Sequence, residues 1–248
     1  MKTSGNTIFV SGGGSGIGRA LAQRWHDAGN TVIVTGRTLS SLEETVAGRD
    51  SLHAFAFDVT DAAALPGKVA ELLARFPAIN VLVNNAGIMR FEDLTAPRDL
   101  ADAEATIATN LTAPIRLTDA LVEHLSGKAD AAIVNVTSGL AFVPMARTPT
   151  YSATKAALRS WTQSLRHQLA GKIEVIELAP PAVQTELTPG QSTRAGYMPL
   201  EAYADEVMAL FAQVPTPAEV LVRNVRFLSD AEREGRYAAA FAMVNQAH

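Results

Sequence analysis

Thr7-Ile8-Phe9-Val10-Ser11-Gly12-Gly13-Gly14-Ser15-Gly16-Ile17-Gly18 is the stretch that decides the fold. Thr7–Val10 is short, apolar and rich in β-branched or aromatic residues, as a buried strand is. Five of the seven residues from Gly12 to Gly18 are glycine. Arg19-Ala20-Leu21-Ala22-Gln23-Arg24-Trp25 then reads as a helix running toward Gly29. Glycines let a backbone turn sharply and approach a ligand closely. A helix N-terminus offers free N–H groups and a positive dipole end to a phosphate. A glycine-rich turn alone also suits a linker. Between a strand and a helix it points to a dinucleotide, with Gly12, Ser15, Gly16, Ile17 and Gly18 as candidate contacts. The turn lacks the Gly-Lys-Ser/Thr ending of a nucleoside triphosphate loop.

Outward from that stretch the same alternation repeats. The second strand, Thr31–Thr35, ends in Gly36-Arg37-Thr38. In a dinucleotide fold this strand end faces the adenosine ribose. No carboxylate follows until Glu43, so Arg37, with Thr38, is read as pairing with the 2′-phosphate of NADP. NAD and a plain surface arginine are the competing readings. A short helix around Ser41–Ala47 precedes a third strand, Leu52–Phe57, closed by Asp58-Val59. Asp58 either accepts from an adenine amino group or caps the next helix, about Asp61–Phe76. The fourth strand, Ile79–Val83, runs into Asn84-Asn85-Ala86-Gly87. Asn85, Ala86 and Gly87 suit close passage beside a cofactor, and equally an ordinary turn. A long helical stretch, Asp99–His124, contains Asn110, whose carbonyl Pro114 cannot engage because proline has no N–H. That carbonyl is free to hold a water, or Asn110 is simply solvated at a proline kink. The fifth and sixth strands are Ala131–Val136 and Lys172–Leu178.

Ser138 sits at the end of the fifth strand. A helix follows, with Thr148 as its cap, Pro149 at its first position and Gly171 past its end. Leu158, Trp161, Leu165 and Leu169 give it an apolar stripe. Tyr151 and Lys155 are four apart and share a face. An ammonium near a phenol favours the phenolate and lowers its pKa. Tyr151 would then exchange a proton with a carbonyl or alcohol oxygen, and Ser138 would hydrogen-bond the same oxygen. The plain alternative is a core tyrosine and a solvated lysine.

Composition narrows the class. The 248 residues, 48% apolar, suffice for a sizeable core as one domain. The net charge of −4 gives no basic footprint for nucleic acid. There is no cysteine, hence no disulfide or thiolate metal site. The histidines, His26, His53, His124, His167 and His248, are scattered without ligand spacing, so no metal is expected. The start, Met1-Lys2-Thr3-Ser4-Gly5-Asn6, is not a signal peptide. No apolar run approaches the ~18 residues that span a membrane. The expectation is a soluble cytoplasmic protein.

Taken together, these motifs resemble the short-chain dehydrogenase/reductase family over residues 7 to about 185. The glycine motif is met by Ser11–Gly18, with serine for the usual threonine, and Asn-Asn-Ala-Gly stands at Asn84–Gly87. Asn110, Ser138, Tyr151 and Lys155 match the family's catalytic tetrad. The resemblance implies an α/β fold, a doubly wound parallel sheet of the Rossmann type. It makes Tyr151 the general acid/base and has Lys155 lower its pKa and bind the nicotinamide ribose. Ser138 would orient the substrate, and Asn110 would anchor a relay water. It adds Asp58, Val59, Val183 and Thr185 to the cofactor contacts.

Departures from the pattern carry expectations too. Pro180-Pro181 replaces the usual Pro-Gly. No seventh strand is legible, because after Pro215 the chain reads as helix over Ala218–Leu228 and again over Tyr237–Val244. This tail and Pro181–Leu187 resemble short family members related to the oxidoreductase of the D-alanylation operon. Six strands are therefore expected, with a homodimer through the helices bearing Asn110 and Tyr151. A mobile substrate lid is read at about 186–205. Leu140, Phe142, Met145, Leu187, Tyr197 and Met198 are candidates for an apolar pocket, and Arg147 or Arg194 for an anionic group. The function expected is NADP(H)-dependent interconversion of a ketone or aldehyde and an alcohol. The alternatives are an NAD-dependent alcohol dehydrogenase, a nucleotide-sensing protein without catalysis, and a same-fold epimerase or dehydratase.

Overall fold

A computed structural model describes residues 1–246, so His248 lies outside the described residues. Its centre is a parallel sheet in the order β3-β2-β1-β4-β5-β6-β7. The strands are β1 (Thr7–Ser11), β2 (Thr31–Thr35), β3 (Leu52–Ala54), β4 (Val81–Asn84), β5 (Ala132–Val136), β6 (Glu174–Leu178) and β7 (Glu219–Val220). The helices are α1 (Gly16–Asp27), α2 (Leu39–Val46), α3 (Leu65–Arg75), α4 (Ala101–Ile107), α5 (Ala113–Ser126), α6 (Pro149–Gln168), α7 (Leu200–Phe211), α8 (Arg226–Ser229) and α9 (Tyr237–Val244).

The longer strands are mostly apolar because both faces are covered, with Asn84, Asn135 and Glu177 as buried polar exceptions. Side chains alternate between two cores. Ile8, Val10, Val32 and Val34 meet Leu21 and Trp25 of α1 and Tyr203, Val207 and Phe211 of α7. Phe9, Ile33, Leu82 and Ile133 point the other way, onto Val69 and Leu72 of α3 and Leu117 and Leu121 of α5. The doubly wound Rossmann architecture read from the sequence is thus the one observed. No helix among the described residues is long and apolar enough to cross a membrane.

The expectation of six strands is corrected. Glu219 and Val220 pair in parallel with Glu177 and Leu178. Glu177 N–H donates to the Ala218 carbonyl at 2.9 Å and Ala179 N–H to the Val220 carbonyl at 3.2 Å. Two residues are too few to show a period, and Val220-Leu221-Val222 suits either structure by composition. What fixes the strand is tertiary: Arg159 on α6 ion-pairs with Glu177 and Glu219, drawing the two strands together. The helix expected over Ala218–Leu228 shrinks to a 3-10 turn at Arg223–Val225 and α8, whereas α9 forms where the sequence places it.

The long helix around Asn110 also differs in detail. It divides into α4, a π-helical turn at Ala108–Thr112, and α5. Across that turn the Ala113 N–H reaches the Ala108 carbonyl, five residues back. Such single turns replace the ordinary ladder where Pro114 interrupts it.

Candidate active site

The carboxyl ends of β1, β4, β5 and β6 open onto one cavity of about 700 Å³. Every candidate cofactor contact from the sequence lines it, from Arg37 at one end to Tyr151 and Lys155 at the other, and so does Ser138; of the matched tetrad only Asn110 does not. A doubly wound sheet places its ligand crevice at this edge.

The glycine turn is latched to the end of β4. Ser11 Oγ accepts from the backbone N–H of Asn85 and Ala86 at 3.0 and 3.1 Å. Serine therefore serves where the family has threonine. The Asn85 side-chain amide donates to the carbonyls of Ser11 and Gly12 at 3.0 Å each. Gly12 has φ +68, and a Cβ there would lie 2.7 Å from Ala86 Cα. No larger residue fits this crossing. Ser15 caps α1 by position but its side chain makes no cap bond, and the first turn of α1 contains no acidic residue. The first N–H groups of α1 are left to whatever enters. Asp58 accepts from the Thr60 N–H and hydroxyl at 2.9 and 2.7 Å. Asp61, not Asp58, bonds the N–H groups of Ala63 and Ala64 ahead of α3.

β5 delivers Ser138 and α6 delivers Tyr151 and Lys155. Ser138 Oγ accepts from the Leu140 N–H at 3.1 Å. Lys155 Nζ donates to the Val136 carbonyl at 2.8 Å and stands 5.7 Å from the Tyr151 ring centre. Burial pushes the Tyr151 phenol up to about 12, against a lowering pull from the Ser138 hydroxyl. The same burial draws Lys155 down to about 8. The spacing predicts a phenol lowered by Lys155; here loss of water around the phenol raises it instead.

Asn110 is buried on the π-turn. Its side chain is committed to Ile88: Oδ1 accepts the Ile88 N–H at 2.9 Å, and Nδ2 donates to the Ile88 carbonyl at 2.8 Å. The side chain thus pins the segment after Gly87, and Pro114 has no N–H to offer the Asn110 carbonyl. Thr148 does not cap α6. Its Oγ1 is buried without a partner, and the first turn is closed instead by Glu92, which accepts the Thr150 N–H.

Two sequence expectations move. Of the six apolar pocket candidates only Leu187 lines the cavity, whereas Met198 is buried in the core and pairs with Val183. Arg147 lies 4.8 Å over the Phe91 ring and Arg194 5.4 Å over Tyr197. The arginine that lines the cavity beside Ile88 is Arg90, which the sequence reading passed over. Pro180 and Pro181 both form cavity wall, and the Pro180 carbonyl accepts the Gly139 N–H at 2.8 Å.

Residues 6–195 match the family model described as short chain dehydrogenase. The chain belongs to that family of oxidoreductases. It is 38% identical over 237 residues to the uncharacterized oxidoreductase DltE of Bacillus subtilis (strain 168), covering 94% of each chain. A sulfoacetaldehyde reductase of Chromohalobacter salexigens is 36% identical over 186 residues, covering 73% of this chain and 74% of that one. In fold, the chain is similar to a short chain dehydrogenase from Burkholderia cenocepacia J2315 solved in complex with NADP. The TM-score is 0.81 at 24% identity, covering 97% of this chain and 99% of that chain. The family match extends through all six longer strands. The likeness to DltE accords with the tail resemblance read from the sequence.

Proposed function

We propose that the protein is an NADP(H)-dependent oxidoreductase that interconverts a ketone or aldehyde with an alcohol, working in the cytoplasm. The observation that carries this reading is the meeting of Ser138, Tyr151 and Lys155 with the glycine turn in one cavity. A dinucleotide fits the donors present. Glycine backbone and the first turn of α1 suit the pyrophosphate, and Gly36, Arg37, Thr38 and Ser41 line the far end. When bound, the nicotinamide supplies or accepts the hydride.

The chain's own groups handle the oxygen and its proton. Ser138 has spent an acceptor lone pair on Leu140, which leaves its O–H to donate to a substrate oxygen. Tyr151, protonated at neutral pH, gives its proton to that oxygen in reduction. Lys155 has three donors and spends one on Val136. The other two remain for a ribose and for the phenolate left behind. Asn110 fixes Ile88 and leaves a carbonyl that can hold a relay water.

Arg37 is the basis for choosing NADP over NAD. It is exposed at the cavity rim after β2. In a fluorescence titration, NADPH should bind more tightly than NADH. Arg37→Ala should weaken NADPH about tenfold and leave NADH unchanged, the loss being that of a charge-assisted hydrogen bond. Equal loss for both nucleotides would show that Arg37 does not read the phosphate. Binding of neither would favour the non-catalytic reading. We also read the segment at 186–205 as carrying a substrate lid, its moving part ending before Met198, since Tyr203 and Ala204 of α7 are fully buried in the core. Its base is tied by the Val183–Met198 bridge and the Gln184 N–H to Met198 carbonyl bond. In the same titration, NADPH should slow trypsin cleavage at Arg194.

A homodimer is the assembly we favour. β7 is present, so its absence cannot favour a dimer; exposed apolar residues of the α4 region, Leu100 at 53% and Ile107 at 43%, do. Light scattering on the purified protein should give twice the chain mass of 26.3 kDa. A stable tetramer would count against it.

A further inference from the structure

We propose that Glu92 is a positioning residue for Tyr151: from a loop 58 residues earlier, its carboxylate closes the first turn of α6 and thereby sets where the phenol stands. The proposal rests on the reading of Tyr151 as proton donor.

Glu92 Oε1 accepts the Thr150 backbone N–H at 3.0 Å, and Oε2 accepts the Thr150 hydroxyl at 2.7 Å. Arg98 Nη1 donates to Oε2 at 2.6 Å, and the Glu92 side chain is only 3% exposed. The Glu92 N–H in turn donates to the Arg147 carbonyl at 2.9 Å. Burial opposes the charge, but Thr150 and Arg98 prevail and hold the carboxyl below its ordinary value.

Three features tie this cluster to the chemistry. First, the local cap is missing, since Thr148 makes no side-chain cap bond. A helix end has orphan N–H groups that something must satisfy, and a carboxylate there also meets the positive dipole end. Second, Tyr151 is the next residue after Thr150, so fraying of this turn displaces the phenol first, while Lys155 sits a turn deeper. Third, Ile88–Glu92 is fastened at both ends, to Asn110 through Ile88 and to Thr150 through Glu92. Arg90 lies between and lines the cavity. One short segment thus spans two site-bearing elements and forms the wall between them.

The test compares Glu92→Gln, Glu92→Ala, Val69→Ala and Tyr151→Phe, using a carbonyl compound that the wild-type chain reduces with NADPH. Each kcat is expressed per NADPH-binding site, so partly unfolded protein does not count. Glu92→Ala should lower kcat about tenfold or more, the scale on which small misplacements act. KM and the NADPH dissociation constant should stay within about twofold, because the removed contact touches neither ligand. Glu92→Gln keeps an acceptor for Thr150 and should fall between. Val69→Ala, a cavity in the α3 core, should lower melting temperature without changing kcat per site. The proposal is overturned if Glu92→Ala keeps wild-type kcat per site, or loses no more than Val69→Ala. Tyr151→Phe separates the two readings: if that variant still turns over, the proton-donor reading fails and the Glu92 proposal with it. If only the Glu92 variants keep their rate, the proton donor stands and the positioning role alone is lost.

Discussion

Tyr151→Phe is expected to lower turnover by about 10²- to 10⁴-fold, the range of general acid catalysis, while NADPH binding persists. Phenylalanine keeps the ring that α6 buries, so the fold has little to lose. It removes the one hydroxyl beside Ser138 that can give a proton to a substrate oxygen. The wild-type pH profile should bear the mark of the same pair. For carbonyl reduction Tyr151 must hold its proton and Lys155 its charge. With the phenol pushed up to about 12 and the ammonium drawn down to about 8, Lys155 titrates first. The reduction rate should therefore fall as pH rises through about 8. The sign for stability is opposite. Between about 8 and 10.5 the unfolded chain keeps a proton on this lysine that the folded chain has lost, so the stability cost of the buried charge fades as pH rises through that window. Stopped-flow rates and melting temperatures across pH 7–10 should move in opposite directions over that window. Full turnover by Tyr151→Phe would remove the proton donor from the mechanism.

The sheet and the glycine turn are legible in the sequence because each rests on local signals. β1, β2, β4, β5 and β6 are apolar on both faces and the helices between them are periodic, so the alternation shows through. β7 is not legible, since two residues carry no period and its place depends on Arg159 bridging Glu177 and Glu219. The site divides along the same line. Ser138, Tyr151 and Lys155 are legible by order and spacing. Glu92 is not, for a carboxylate in a polar stretch between Phe91 and Asp93 reads as solvated; its burial comes from Thr150 and Arg98, brought in by the fold. The pKa directions are also beyond the sequence. Spacing indicates that Tyr151 and Lys155 meet, but only packing decides that burial raises the phenol and lowers the ammonium.

Gly18→Ala should weaken binding of both NADPH and NADH about 100-fold, in a variant that still folds. A Cβ at this position would stand 2.2 Å from the Gly12 carbonyl oxygen and 2.4 Å from Asn85 Nδ2. Neither neighbour can step aside cheaply. The Gly12 oxygen is backbone, and Asn85 Nδ2 is held by the carbonyls of Ser11 and Gly12. One methyl must therefore push the first turn of α1 away from the glycine turn and the end of β4 together. Overpacking of this kind costs about 1–3 kcal/mol. Here it falls on the backbone N–H groups that we assign to the pyrophosphate, which both nucleotides share. Arg37→Ala, by contrast, should spare NADH, so the two variants separate phosphate reading from turn geometry. Gly67→Ala is the control. It lies in α3 with nothing within 4 Å of a built Cβ, and alanine is the better helix former by about 1 kcal/mol. That variant should be slightly more stable and bind NADPH as the wild type does. Circular dichroism establishes that each variant is folded before fluorescence titration gives its affinity. A folded Gly18→Ala that binds both nucleotides at wild-type strength would show that the turn has slack, and the close crossing of Gly12, Gly18 and Asn85 would no longer explain why this chain spends five glycines there.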